Sequence, residues 1–239
     1  MTTPDKDRSE EHGHEHRDVS GGWLRPAVFG AMDGLVTNAS LIAGVGGGGG
    51  SQHAILLTGL AGLAAGAFSM AAGEFVSVSS QNELVQAEVD QERHELTTNA
   101  AAEQAELVGM LRRRGISAVT ARQAAAEISA HPEKALAVHA FEELGVNPAE
   151  LPSPYVAAGA SLAAFAVGAI IPLLPYVLGA DTLWLALALA AIAAIAGGGL
   201  VARLTERPFW RGALRQLALG VLATGVTYLI GLAVGGMAG

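Results

Sequence analysis

The segment Ala54–Glu95, AILLTGLAGLAAGAFSMAAGEFVSVSSQNELVQAEVDQERHE, decides the fold. Its first 20 residues, Ala54–Gly73, carry no charge. Its end is rich in carboxylates, and after Val78 the pattern turns polar with no glycine or proline to break it. A bilayer crossing takes about 20 mostly apolar residues, and they form a helix because lipid offers the backbone no other hydrogen-bond partners. One helix is therefore expected to cross a membrane and run on into water as a stem.

Apolar blocks flank this segment on both sides. Tyr155–Leu178, Thr182–Ala202 and Leu217–Gly239 carry no charge, and Pro26–His53 carries only Asp33. The chain has 239 residues, 51% hydrophobic and 15% charged, whereas soluble domains carry about 25% charged residues. Five spans follow, and a soluble alanine-rich bundle is excluded by the length of the uncharged blocks. The expected fold is an all-α integral membrane protein. It has five transmembrane helices, with a three-helix cytosolic metal-binding domain between helices 2 and 3. The expected divisions are a disordered His/Glu tail (1–22), helices 1 and 2 (23–82), the acidic domain (83–150) and helices 3 to 5 (151–239).

All 14 Lys and Arg residues fall before span 1, between spans 2 and 3, or at the junction of spans 4 and 5. Basic residues mark cytosolic loops. The N-terminus and residues 83–150 are thus expected in the cytosol, and the C-terminus outside. Residues 1–22 lack the apolar core of a secretory signal. This pattern fits a bacterial plasma membrane. The net charge of −8 argues against nucleic acid as a partner, and the absence of cysteine excludes thiolate metal sites.

Within span 1, Gly30, Asp33, Thr37, Ser40 and Gly44 recur three or four apart and share a face. Gly30 and Gly34 form a small-xxx-small pair for close helix approach. An acid inside a span costs about 2.5–3.5 kcal/mol or more, so Asp33 is a pathway residue by default. The competing reading is a satisfied polar contact. Asp33 and Met70 each lie roughly 10 Å from the cytosolic side at 1.5 Å per residue, deep enough to face each other across one site. A carboxylate beside a thioether suits a borderline cation such as Fe²⁺. Met70 reads equally well as ordinary packing; Glu74 lies about 6 Å nearer the cytosol, either at an entrance or simply snorkelling to the interface.

Residues 83–150 hold 12 of the chain's 22 acids. Glu88, Glu92 and Glu95 share one helix face, and Glu103 and Glu106 repeat the three-residue spacing. Arg112–Arg114 and Gly115 end a helix. A second covers about Thr120–Ala130. A third covers Pro132–Leu144, stopped by Gly145, with His139 and Glu143 four apart. Any one pair taken alone reads better as a solvated acidic face. Two ExxE pairs plus one HxxxE pair read as a candidate Fe or Mn site built on packed helices. No tightly bound cofactor is expected. An oxidase of ferritin type is disfavoured, because neither His94 nor His139 follows a Glu by three residues.

MDGLVTNASLIAG (32–44), AGAFSMAAGEFVS (65–77), FEELG (141–145) and IIPLLPY (170–176) resemble the vacuolar iron transporter family from about Trp23 onward. The resemblance implies a homodimer with five transmembrane helices and a cytosolic helical metal-binding domain. It implies proton-coupled export of Fe²⁺, and often Mn²⁺, from the cytosol. It assigns Asp33 and Met70 to the pathway and Glu92, Glu95, Glu103, Glu106 and Glu143 to metal binding. Two positions depart from the family. His139 stands where a Met is common, and Gly62 stands where a pathway Glu is common. The resulting expectation is a secondary transporter, not an enzyme. Its partners are divalent metal ions, protons and the lipid bilayer. The alternative is a membrane-anchored metal sensor or buffer that transports nothing.

Overall fold

The computed structural model describes residues 22–238, so the expected His/Glu tail lies outside the described residues but for Gly22. Helix α1 spans Leu24–Gly47, and a short glycine turn leads to α2, Gln52–Thr98. Ser51 opens α2, its hydroxyl accepting from the Ala54 N–H at 3.3 Å. Three shorter helices follow: α3 (Ala100–Arg113), α4 (Ala118–Ser129) and α5 (Pro132–His139). A single π-turn, Ala140–Leu144, extends α5. The chain then returns through α6 (Pro154–Val177), α7 (Leu183–Leu204) and α8 (Phe209–Ala238).

Helices α1, α2, α6, α7 and α8 are each long and apolar enough to cross a membrane. Their outward faces carry Leu57, Phe68, Leu222 and Leu229, all more than half exposed. Such a surface would be costly in water and is matched to lipid. The chain is an integral membrane protein.

Helix α1 touches each of the other four membrane helices, and its most extensive contact is with α6. A Cβ at Gly30 or Gly34 of α1 would strike the α6 backbone at Ser161 or Phe165, and one at Gly168 would strike the Ala31 carbonyl of α1. The two backbones are thus in direct contact, as the glycine spacing in α1 predicts. Pro172 and Pro175 lie inside α6, which nevertheless stays helical to Val177. In that turn Asn38 of α1 donates from Nδ2 to the Ala169 carbonyl at 2.6 Å. On the other flank of α6, Phe165 and Ala169 pack with Ala67 and Met70 of α2.

Helix α2 does continue unbroken past Val78, as its sequence predicts, but it stops at Thr98. The hydroxyls of Thr97 and Thr98 both fold back onto the His94 carbonyl, at 2.7 and 2.9 Å. Asn99, at φ −126°, turns the chain into α3. The sequence itself predicts no such break between Glu95 and Glu103. It also extended an α-helix through Leu144, where the backbone widens into the π-turn before Gly145 stops it at φ +67°.

Candidate metal centre

Beyond the bilayer, α2, α3 and α5 meet through two small apolar seams. Val89 of α2 packs on Leu136 and Ala140, and Leu107 and Met110 of α3 pack on Ala125 of α4. Glu92 lies one turn past Val89, Glu103 one turn before Leu107, and His139 between Leu136 and Ala140. The seams that assemble the helices therefore bury these polar side chains too. His139 is fully buried, Glu92 is 8% exposed and Glu103 6%.

The three side chains converge with Glu143. His139 Nδ1 lies 2.9 Å from Glu92 Oε1, 3.1 Å from Glu143 Oε1 and 3.8 Å from Glu103 Oε2. One ring nitrogen carries at most one proton, so it cannot serve three carboxylates. The pair with Glu143 has hydrogen-bond geometry. Glu92 Oε1 and His139 Nε2 are buried without a hydrogen-bond partner. Negative charge is in excess. Burial, then the Glu143 carboxylate, push the Glu92 pKa up to about 7, with His139 pulling the other way. Burial, then Glu106, raise the pKa of Glu103.

A divalent cation would relieve that excess. One ligand atom each from Glu92, Glu103 and His139 lie within 4.8 Å of one another. Carboxylate oxygen with imidazole nitrogen suits Fe²⁺ or Mn²⁺, and the absence of thiolate disfavours softer ions. Each ligand must give up its proton to bind. The π-turn aims Glu143 at the same nitrogen, and an ion pair from Arg114 Nη2 to Glu142 Oε2, 3.1 Å, ties that turn to the end of α3. Single π-turns recur at functional sites. A cavity of about 100 Å³ lined by Glu88, Gln91, Glu92, Glu95, Glu143 and Leu144 opens the centre to solvent.

The other residues singled out from the sequence lie further away. Glu95 is half-buried and accepts from Gln91 Nε2 at 3.0 Å. Glu106 is exposed on α3. Each ExxE pair thus gives its first member to His139 and leaves its second toward the rim. Asp33 is half-buried in α1, its Oδ1 accepting from Thr37 Oγ1 at 3.3 Å. Met70 packs in the seam between α2 and α6, and Glu74 is half-buried one turn later. None of these three belongs to the cluster around His139. Gln91 was not singled out from the sequence; its place one turn before Glu95 was the available signal. Gly62 faces α1: a Cβ there would meet the Leu41 side chain, with Asn38 Oδ1 at 3.3 Å.

Comparison with known proteins agrees with this architecture. The model of the VIT family matches residues 24–232. The chain is 39% identical over 191 residues to the "Vacuolar iron transporter" of Acanthamoeba castellanii, covering 79% of this chain and 67% of that protein. It is 37% identical over 211 residues to "Vacuolar iron transporter homolog 1" of Oryza sativa subsp. japonica, covering 86% and 71%. To "Vacuolar iron transporter homolog 3" of Arabidopsis thaliana it is 34% identical over 209 residues, covering 86% and 80%. With the family model covering four membrane helices, most of the fifth and the cluster between them, the chain belongs to the VIT family.

Proposed function

We propose that this protein is a secondary transporter that moves Fe²⁺, Mn²⁺ or both out of the cytosol in exchange for protons. The observation that carries the reading is the convergence of Glu92, Glu103 and Glu143 on His139, on a stem that is the continuation of a membrane-crossing helix. The cluster collects the ion, with Glu95 and Glu106 at its rim. Asp33 and Met70 form the pathway in the membrane, and Glu74 stands at its cytosolic entrance. The names of the relatives support metal transport across a membrane, and a transporter rather than an enzyme. The raised pKa of Glu92 supports proton exchange, since loading an ion there releases a proton near neutral pH. The basic residues support an orientation with the N-terminus and residues 83–150 in the cytosol, in a bacterial plasma membrane. The working unit is a homodimer.

Proteoliposomes containing the full chain, with Mn²⁺ or Fe²⁺ on one side and a pH gradient across the bilayer, test this directly. Flux should depend on the gradient. Asp33→Asn should abolish it while leaving ion binding at the cluster intact. Full flux through the Asp33→Asn variant would remove Asp33 from the pathway. Tight binding with no flux in the wild type would instead make the chain a membrane-anchored metal buffer.

A further inference from the structure

A groove between α1, α7 and α8 lies away from the metal cluster. Its basic end is a cavity of about 340 Å³ lined by Arg25, Val28 and Met32 of α1, Val201 of α7, and Arg215 and Gln216 of α8. One turn further along each helix lies an apolar cavity of about 280 Å³, lined by Leu35, Ala39, Ala190, Leu217, Thr224 and Tyr228 among others. The two share their three walls and follow one another along the cleft.

We propose that this groove seats one anionic glycerophospholipid, its phosphate at Arg25 and Arg215 and an acyl chain along the apolar part. Three observations support this occupant. First, the charge is complementary and available. Among the described residues neither Arg25 nor Arg215 has a carboxylate within salt-bridge distance, whereas the neighbouring Arg203 and Arg211 guanidiniums lie over the rings of Phe209 and Trp210, 5.2 and 5.3 Å from the centroids. The residue that opens α1, Trp23, makes no side-chain cap hydrogen bond, so among the described residues the Leu24 and Arg25 N–H groups at that end suit an anion. Second, the length fits. Arg25 to Ala39 covers about 21 Å along a helix, and one leaflet with its headgroup is about 20–22 Å thick. Third, a second copy of the chain fits poorly. A two-fold interface through this groove would face the same patch against itself, setting the arginines of each copy against their counterparts. Basic pockets between membrane helices are suited to anionic headgroups. The proposal does not depend on transport.

Native mass spectrometry of the purified full chain in neutral detergent tests it, with phosphatidylglycerol and phosphatidylcholine of identical acyl chains. One phosphatidylglycerol per protomer should survive activation that strips phosphatidylcholine. R25Q/R215Q should weaken that binding roughly thirtyfold. R203Q/R211Q, equal in charge removed, should leave it unchanged. Thr224→Trp, which fills the apolar part, should weaken retention of both lipids. Equal retention of the two lipids by the wild type would overturn the proposal. So would equal losses in the two arginine double variants, which would indicate a diffuse basic belt. A Thr224→Trp chain that keeps its lipid but changes oligomeric state would assign the groove to a second copy.

Discussion

Acidification from pH 8 to pH 6 is expected to weaken Mn²⁺ binding at the cluster by at least about tenfold. The magnitude comes from Glu92. Its pKa stands near 7 because it is buried and faces Glu143. A cation takes only the ionised carboxylate, so the fraction ready to bind falls from about nine-tenths at pH 8 to about one-tenth at pH 6. Burial and the Glu106 carboxylate raise the Glu103 pKa in the same direction. Glu92→Gln has no proton to lose at that position. It should remove that tenfold part of the slope, and at pH 8 it should lower affinity by at least the roughly tenfold that even an outer-sphere partner is worth. Mn²⁺ titration of the full chain in detergent, read by electron paramagnetic resonance at fixed ionic strength, measures both. An affinity that stays flat between the two pH values would refute the reasoning. So would a Glu92→Gln variant with the full wild-type slope.

The same groups govern stability without metal. A carboxyl whose folded pKa is raised is better protonated in the native state, so stability should fall as pH climbs from about 4.5 to about 7, by roughly 3 kcal/mol at most from Glu92; Mn²⁺ should reverse the loss in thermal melts followed by circular dichroism. Gly34→Leu should force α1 off α6, because its Cβ alone meets the Phe165 carbonyl; an overpacked variant loses about 1–3 kcal/mol or more, read as a lower midpoint in fluorescence-detected size-exclusion melts. Arg114→Ala removes an ion pair whose arginine is well exposed and should cost at most about 1 kcal/mol; a larger loss of Mn²⁺ affinity than of stability would show that the π-turn needs this anchor.

The membrane helices were legible because each is a continuous, all but uncharged block of bilayer length, which satisfies its backbone in lipid as a helix, whereas the strands of a closed barrel would alternate apolar and polar residues. The stem was legible because nothing between Val78 and Glu95 breaks a helix. The turn at Asn99 was missed because α3 is rich in alanine on both sides of Glu103, so propensity favours helix throughout. Two threonines before an asparagine were the signal, since their hydroxyls compete with the helix for backbone carbonyls. That turn doubles α3 back and sets Glu103 near the nitrogen that Glu92 approaches. The spacing of the ExxE pairs placed both members near one face. It could not choose between them, because residues three apart differ by about 60° around the axis. Burial makes the choice: Val89 and Leu107 turn Glu92 and Glu103 inward. The π-turn had no sequence signature.

Helix α2 is one piece from Gln52 to Thr98. Met70 and Glu92 stand 22 residues apart on it, about 33 Å of stiff rod. A tilt of about 5° pivoting at Met70 would sweep Glu92 through about 3 Å, more than ten times the tolerance of about 0.2 Å in a metal–ligand distance. The stem is therefore a long lever with no joint. The angle at which its near end crosses the bilayer sets the position of Glu92 at its far end.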